Sequence, residues 1–284
     1  MTTTLAVLGA TGQQGGATAR ALLAADPAGP ADLTVRALVR DPASGAARAL
    51  ADAGAELGRA DLTDQESLRA AFAGVDGVFA MTTSFTPRGT DGETADGIRI
   101  ADAALAAGVP HLVYSPVGGA ERHTGIPHFE SKRRVEEHIE GLDLPATFVR
   151  PVFFMENLSP SSEDGTTVLR LPLPAGVPVQ MVAVEDIGRV AAAALRDPSR
   201  VPEGAIEIGG DEVTGEQAAE ILGGRYEALP VTVLDDPDLR AMFTWFADAR
   251  PAYRADFART RELDPQVLDL AAWAATRPAT GPST

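Results

Sequence analysis

Short apolar runs alternate with helix-like stretches along the first half of the chain, and their spacing predicts the fold. Leu5-Ala-Val-Leu8 leads into Gly9-Ala-Thr-Gly12-Gln-Gln-Gly15-Gly16 and then Ala17-Thr-Ala-Arg-Ala-Leu-Leu23, which predicts a strand, a glycine turn and a helix. After a Pro- and Gly-containing loop, Asp26 to Asp32, a second strand is expected over Leu33 to Val39, and then a helix through Ala53 that Gly54 ends. Further strands are expected at Glu56 to Arg59, Val75 to Met81, Val109 to Ser115 and Ala146 to Arg150. Helices fill the intervals: one runs from a capping box at Thr63-Asp-Gln-Glu66 to Phe72, one covers Glu93 to Ala107 and one covers Pro127 to Ile139. This β-α alternation predicts an α/β fold built on a doubly wound parallel sheet, with ligands at the carboxyl ends of the strands.

Beyond Pro151 the rhythm changes. Phe153 to Val179 is rich in Pro and Ser, with one candidate strand at Thr167 to Leu171, and reads as an excursion away from the sheet. Val182 to Leu195 predicts a short strand and a helix, and Ala205 to Ile208 a further strand that rejoins the sheet. A second capping box, Thr214-Gly-Glu-Gln217, opens a helix ending at Gly223. Asp236 to Ala275 reads as mostly helical, with Phe243, Trp245, Phe246, Tyr253 and Trp273 available for a small core. The expected division is a dinucleotide-binding domain from residues 1–152 and 181–210, a smaller substrate or partner domain from 153–180 and 211–275, and a loose tail over 276–284.

Composition narrows the partners. A chain of 284 residues buries a full core without cross-links, and the lack of cysteine excludes disulfides, thiol catalysis and thiolate zinc sites. The four histidines, His111, His123, His128 and His138, show no metal-ligand spacing together with carboxylates, so no metal site is expected. With 24 basic and 40 acidic residues the net charge is −16, which repels nucleic acid backbones and anionic lipid surfaces. No secretory leader pattern and no apolar run of about 18 residues is found. The expectation is a soluble cytoplasmic protein that takes a small-molecule substrate, with a protein partner as a second option and the oligomeric state open.

Candidate chemistry concentrates at strand ends. Three glycines spaced by three let the backbone turn sharply, lie close under a pyrophosphate and pack the helix on the strand, while free amides at the helix start attract negative charge. The pattern is G-x-x-G-x-x-G, not the commoner G-x-G-x-x-G, and an ordinary strand-to-helix turn is the plain alternative. Gly9, Thr11, Gly12, Gln13, Gln14 and Gly15 are its candidate cofactor contacts. At the end of the second strand Asp41 reads as a helix N-cap with Pro42 after it. That leaves Arg40 to meet a ribose phosphate, which favours NADP(H) over NAD(H); a solvated arginine is the alternative. Asp61-Leu62 closes the third strand, offering a carboxylate near an adenine amino group or a turn ahead of Thr63. Thr82, ending the fourth strand, lies beside the cofactor ribose by topology, and Ser115 closes the fifth. His128 and Lys132, four residues apart, share a helix face. If that face meets the nicotinamide, Lys132 hydrogen-bonds its ribose and His128 donates a proton to reduced substrate; if not, both belong to a charged surface helix.

The chain resembles the NmrA-like group of atypical short-chain dehydrogenases. The matching pieces are Gly9-Ala-Thr-Gly12-x-x-Gly15, Arg40, Asp61-Leu62, Tyr114-Ser-Pro-Val-Gly-Gly-Ala120, His128-x-x-x-Lys132 and Val149-Arg-Pro-Val-Phe-Phe-Met-Glu-Asn157. They continue with Val184-Glu-Asp-Ile-Gly188, Met242-Phe-Thr-Trp-Phe246 and Tyr253-Arg-Ala-Asp256. The resemblance implies a Rossmann-like domain, a smaller carboxyl-terminal α/β domain and a substrate cleft between them, with Phe153, Phe154 and Asn157 on one wall. It implies one of two functions: NAD(P)H-dependent reduction of a quinone-like, carbonyl or conjugated compound, or non-catalytic dinucleotide sensing that regulates a protein partner. His128 stands where ordinary short-chain dehydrogenases carry the tyrosine of Tyr-x-x-x-Lys, and Pro116 after Ser115 departs from their usual Ser-Ser. The segment after Gly210 is shorter than in many members, and Glu185-Asp186 resembles the family's helix-start acid pair, a structural feature.

Overall fold

Along β1 (Thr3–Leu8) Leu5 and Val7 enter one core layer while Ala6 and Leu8 enter the other, and all four are buried. A strand apolar on both faces belongs to a sheet covered on both faces, as parallel sheets are. The computed structural model describes residues 2–24 and 32–277. Next in chain order come α1 (Gln13–Leu23), β2 (Leu33–Val39), α2 (Gly45–Asp52), β3 (Glu56–Arg59) and α3 (Gln65–Phe72). They are followed by β4 (Gly77–Met81), α4 (Gly89–Ala106), β5 (Leu112–Ser115), α5 (Pro127–Glu140) and β6 (Ala146–Pro151). The second half contains β7 (Phe153–Phe154), β8 (Ser161–Glu163), β9 (Thr166–Leu171), β10 (Pro178–Val182), α6 (Val184–Arg196) and β11 (Ala205–Ile208). Last come β12 (Asp211–Thr214), α7 (Gly215–Ile221), β13 (Gly224–Ala228), α8 (Pro237–Asp248), α9 (Phe257–Leu263) and α10 (Leu270–Thr276).

The main sheet has seven parallel strands in the order β3-β2-β1-β4-β5-β6-β11. This is the Rossmann-like architecture expected. Helices α1, α2 and α6 cover one face, with Ala17, Leu22, Leu50 and Ile187 in its core; α3, α4 and α5 cover the other through Leu68, Phe72, Ile100 and Val135. The strand order reverses between β1 and β4, which opens a crevice at their carboxyl ends. Two three-stranded sheets, β7-β10-β12 and β8-β9-β13, stand beyond the crevice. The rings of Phe243, Trp245, Phe246 and Tyr253 pack edge-on or tilted at 5.3–5.7 Å, while Trp273 donates its indole N–H to Glu156 at 3.0 Å.

Several local expectations change. Helix α1 begins at Gln13, not Ala17, so Gly15 and Gly16 are helical despite their low propensity. The capping box at Thr63 is not formed: Asp64 is the N-cap of α3, accepting from Glu66 and Ser67 N–H, because Thr63 is turned back onto Asp61. Nor does Asp41 cap α2. Its carboxylate closes a local turn on Ala43 N–H at 2.9 Å, and Ser44 is the cap. The box at Thr214 and Gln217 forms as expected. Helix α4 starts one turn early, at Gly89. The unexpected strand β13 pairs in parallel with β9, allowed because Gly224 has no Cβ to collide with the Thr167 carbonyl. Of the expected tail, Thr276 is the last residue of α10 and Arg277 stacks over Trp273 at 4.6 Å; 278–284, like 26–31 of the predicted loop, lie outside the described residues.

Closeness of α1 to β1 rests on Gly15, where a Cβ would collide with the Gly9 carbonyl and stand 2.9 Å from the Leu8 carbonyl oxygen. Gly15→Ala is expected to destabilise by about 1–3 kcal/mol through overpacking, against the usual helix preference for alanine. Gly45→Ala, which meets no atom within 4 Å, is expected to be neutral or stabilising by less than about 1 kcal/mol. Denaturant midpoints of the two variants check the contrast, and equal midpoints contradict it.

Candidate functional site

Gly9 follows β1 with φ +66°, a left-handed conformation that glycine adopts without strain, and its carbonyl accepts the Gly12 N–H at 2.8 Å. Gly12 is the N-cap of α1 and has no side chain with which to cap it; no acidic residue stands in the first turn. The first amides of α1 thus present a bare, partially positive helix end. Gly9, Gly12, Gln13, Gln14 and Gly15 form one end of a cavity of about 680 Å³.

Two polar side chains of α5, Lys132 and His128, line that cavity as well. Lys132 on α5 is ion-paired with Glu93 of α4, a carboxylate with no solvent exposure. The same carboxylate accepts from Ser131 Oγ at 2.5 Å and Thr82 Oγ1 at 3.2 Å, and Thr82 stands 2.7 Å from the Tyr114 hydroxyl. Because the single Thr82 proton goes to Glu93, Tyr114 donates to Thr82. Burial, reinforced by the Glu93 charge, pushes the Tyr114 phenol far above its ordinary range, so it stays protonated. Lys132 therefore reaches the cavity from a fixed base with its charge already matched.

His128, one turn before Lys132, also lines the cavity. Its ring Nδ1 lies 2.5 Å from Asp238 Oδ1, and its backbone N–H donates to the same oxygen at 3.3 Å. Burial alone would raise the Asp238 carboxyl, but the hydrogen bonds and charge of His128 outweigh it and hold that carboxyl below its usual range. The Phe129 ring meets the imidazole edge-on at 4.7 Å, fixing it from the side.

Apolar groups form the far end. Phe153, Phe154 and Asn157 all line it, Phe153 being buried and supported edge-on by Phe246 at 5.9 Å. Leu239, Met242 and Phe243 of α8 join them, the Phe243 ring meeting that of Phe153 edge-on at 6.3 Å. Phe85, 72% exposed, stands at the mouth with its ring 6.5 Å from that of His128.

The remaining expected residues fall outside the cavity lining. Ser115 is fully buried and donates to Gln14 Oε1 at 2.7 Å, so it holds Gln14 while Pro116 and Val117 form the wall. Thr11 is exposed on the glycine turn and Arg40 exposed at the carboxyl end of β2. Asp61 Oδ1 accepts from both the amide and the hydroxyl of Thr63, which holds its carboxyl below the ordinary value, and the Leu62 carbonyl accepts from Arg99 at 2.7 Å. Asp186, at the start of α6, is structural: burial pushes its carboxyl up to about 7 against the pull of the Leu268 N–H and Arg189. Glu93 and Asp238 were not anticipated. Glu93 carried a signal, an acid on the stripe that continues through Gly97, Ile100, Ala101 and Ala104, all buried; Asp238 carried none. Among the described residues no group of His, Asp and Glu is arranged to hold a metal, and no helix is long and apolar enough to cross a membrane.

Comparison with known proteins places this geometry in context. The chain is 38% identical over 167 residues to an NmrA-like family domain-containing oxidoreductase, FrzB, of Cladobotryum sp., covering 55% of this chain and 48% of that protein. It is 26% identical over 234 residues to an NmrA-like family domain-containing protein of Dictyostelium discoideum, covering 76% and 75%. The chain spans about half the length of the first curated relatives it matches. Its fold is similar to that of NmrA, a negative transcriptional regulator, in complex with NAD (TM-score 0.76, 21% identity, 96% and 94% of the two chains). It is also similar to the NADPH-dependent quinone oxidoreductase QOR2 of Escherichia coli complexed with NADPH (TM-score 0.75, 23% identity, 96% and 99%). The Citrobacter sp. triphenylmethane reductase complexed with NADP(H) is a third such neighbour (TM-score 0.75, 21% identity, 97% and 99%). The NmrA-like family model matches residues 1–252, and the chain belongs to that family.

Proposed function

We propose that the chain is an NADP(H)-dependent cytoplasmic oxidoreductase that reduces a neutral, flat, conjugated or quinone-like compound. The observation that carries this reading is one cavity running from an uncapped glycine-turn helix to an aromatic wall, with one imidazole and one ammonium between. The glycine turn fits a diphosphate: a Cβ on Gly12 would crowd the Gly9 carbonyl at 3.2 Å, and the amides after it lack an internal cap. Gln13 and Gln14 would supply those amides, Arg40 would meet a ribose phosphate, and Lys132 and Thr82 would meet the nicotinamide ribose. Bound there, the cofactor supplies hydride. The chain's own residues do the rest: the apolar wall of Phe153, Phe154 and Met242 excludes water and orients a planar substrate, and His128 delivers a proton. Pairing with Glu93 leaves Lys132 little net charge for an anionic substrate, which favours neutral acceptors. The division into residues 1–152 with 181–210 and 153–180 with 211–275 is part of the same reading, the cavity lying between the two.

Three measurements test it. Purified protein should oxidise NADPH in the presence of at least one member of a quinone and conjugated-carbonyl panel; saturable NADPH binding without oxidation above background would favour the sensor reading, in which a protein partner reads the bound nucleotide. Arg40→Ala should weaken NADPH about 10- to 100-fold, the loss of one charge-assisted contact, while leaving NADH nearly unchanged; equal losses overturn the phosphate assignment. Lys132→Ala alone strands the buried Glu93 carboxylate at a cost of about 3–5 kcal/mol. The informative variant is therefore Lys132→Met with Glu93→Gln, expected to fold and to bind NADPH about tenfold more weakly by calorimetry. Unaltered affinity removes Lys132 from the site.

A further inference from the structure

Asp238 joins two parts of the chain 110 residues apart, and it does so through one oxygen. Oδ1 receives both the backbone N–H and the ring Nδ1 of His128. A carboxylate held below its usual range is ionised at neutral pH and can only accept, so Nδ1 must carry a proton. We propose that Asp238 is a positioning residue that locks His128 in the Nδ1–H tautomer and leaves Nε2 as the atom that exchanges protons with substrate in the cavity.

The surroundings favour this assignment. The other charged groups near His128 are Lys132 and Glu93, which satisfy each other, and Asp236, which caps α8 by accepting the Asp238 N–H at 2.9 Å. Asp238 is the acid that touches the ring. Phe129 packs against the imidazole edge-on and limits rotation, so a ring flip would cost both the packing and the hydrogen bond. The proposal rests on the reductase reading for its chemistry, and the step balances as follows. The substrate receives hydride, two electrons and one proton nucleus, from the reduced pyridine nucleotide, which is oxidised; the atom left negative takes the proton from Nε2 of the imidazolium. His128 then remains neutral with its other proton still on Nδ1 facing Asp238, and solvent restores Nε2. Without Asp238 the ring loses the hydrogen bond that orients it, and the neutral imidazole is free to take up its proton at either nitrogen.

The test is designed to separate this proposal from the reductase reading. Protein labelled with 15N in its four histidines is examined by long-range 1H–15N correlation above the titration of the imidazoles, with His128 assigned by the signal lost in His128→Gln. The wild type should show His128 predominantly as the Nδ1–H form; Asp238→Ala should lose that preference, and Asp238→Glu should restore at least part of it. Asp236 keeps its capping position in both variants, so α8 retains its start. A wild-type spectrum showing the Nε2–H form, or one unchanged in Asp238→Ala, overturns the proposal whether or not the protein turns over. With a substrate in hand, Asp238→Ala should lower kcat about 10- to 100-fold with KM and NADPH affinity little changed, the pattern of an interaction made in the transition state. A raised KM at unchanged kcat would assign Asp238 to the pocket wall and overturn the positioning role.

Discussion

The approach of α1 to the end of β1, so close that Gly15 cannot carry a side chain, is the constraint on which the site depends. It brings the start of a helix with no side-chain cap to the carboxyl edge of the sheet, beside the point where strand order reverses. A helix end with unmet amides costs stability unless water or a ligand satisfies it. Other helix starts meet this cost in different ways: α2 is capped by Ser44, α3 by Asp64, and α6 receives the Glu156 carboxylate on the Val184 N–H, while α4 and α5, like α1, have no N-cap side chain. What sets α1 apart is that its bare start lies against the cavity, with Gly12, Gln13, Gln14 and Gly15 all in the lining.

From that fixed edge the cavity acquires its chemistry by burying charge in matched groups. Glu93 would be untenable alone in the interior, but Lys132, Ser131 and Thr82 satisfy it from the neighbouring helix and strand end. The result holds one ammonium in place at the cavity wall while the Tyr114 hydroxyl closes the chain of donors behind it. On the preceding turn His128 is held by Asp238, so the two polar groups that face the cavity are anchored to different parts of the molecule: Lys132 within the sheet's own helices, His128 to α8. Helix α8 thus supplies both the carboxylate that holds the imidazole and, through Met242 and Phe243, part of the apolar wall.

Much of this was legible in the sequence because it is local. The two-sided burial of β1, the glycine turn and the shared face of His128 and Lys132 follow from spacings of two, three and four residues, and the structure keeps them. The groups that tune the site were not legible because they come from far along the chain: Glu93 is 39 residues from Lys132, and Asp238 is 110 from His128. Local chemistry also offered rivals of nearly equal merit. Asp41 and Ser44 are both good caps, as are Thr63 and Asp64, and the choice fell to turns that sequence spacing does not resolve. Strand β13 escaped notice because its alternating run, Arg225 to Ala228, is only four residues long and follows a pair of glycines, and its pairing depends on Gly224 fitting under Thr167.

The central claim is that the bare start of α1 receives a dinucleotide diphosphate. Titrating 15N-labelled protein with NADPH and following the backbone amides tests it at the atoms concerned. The account predicts saturable shifts in Gln13, Gln14 and Gly15 amides, larger than those in the capped start of α3. Unmoved amides at α1 in well-folded protein, with NADPH or with NADH, would contradict it.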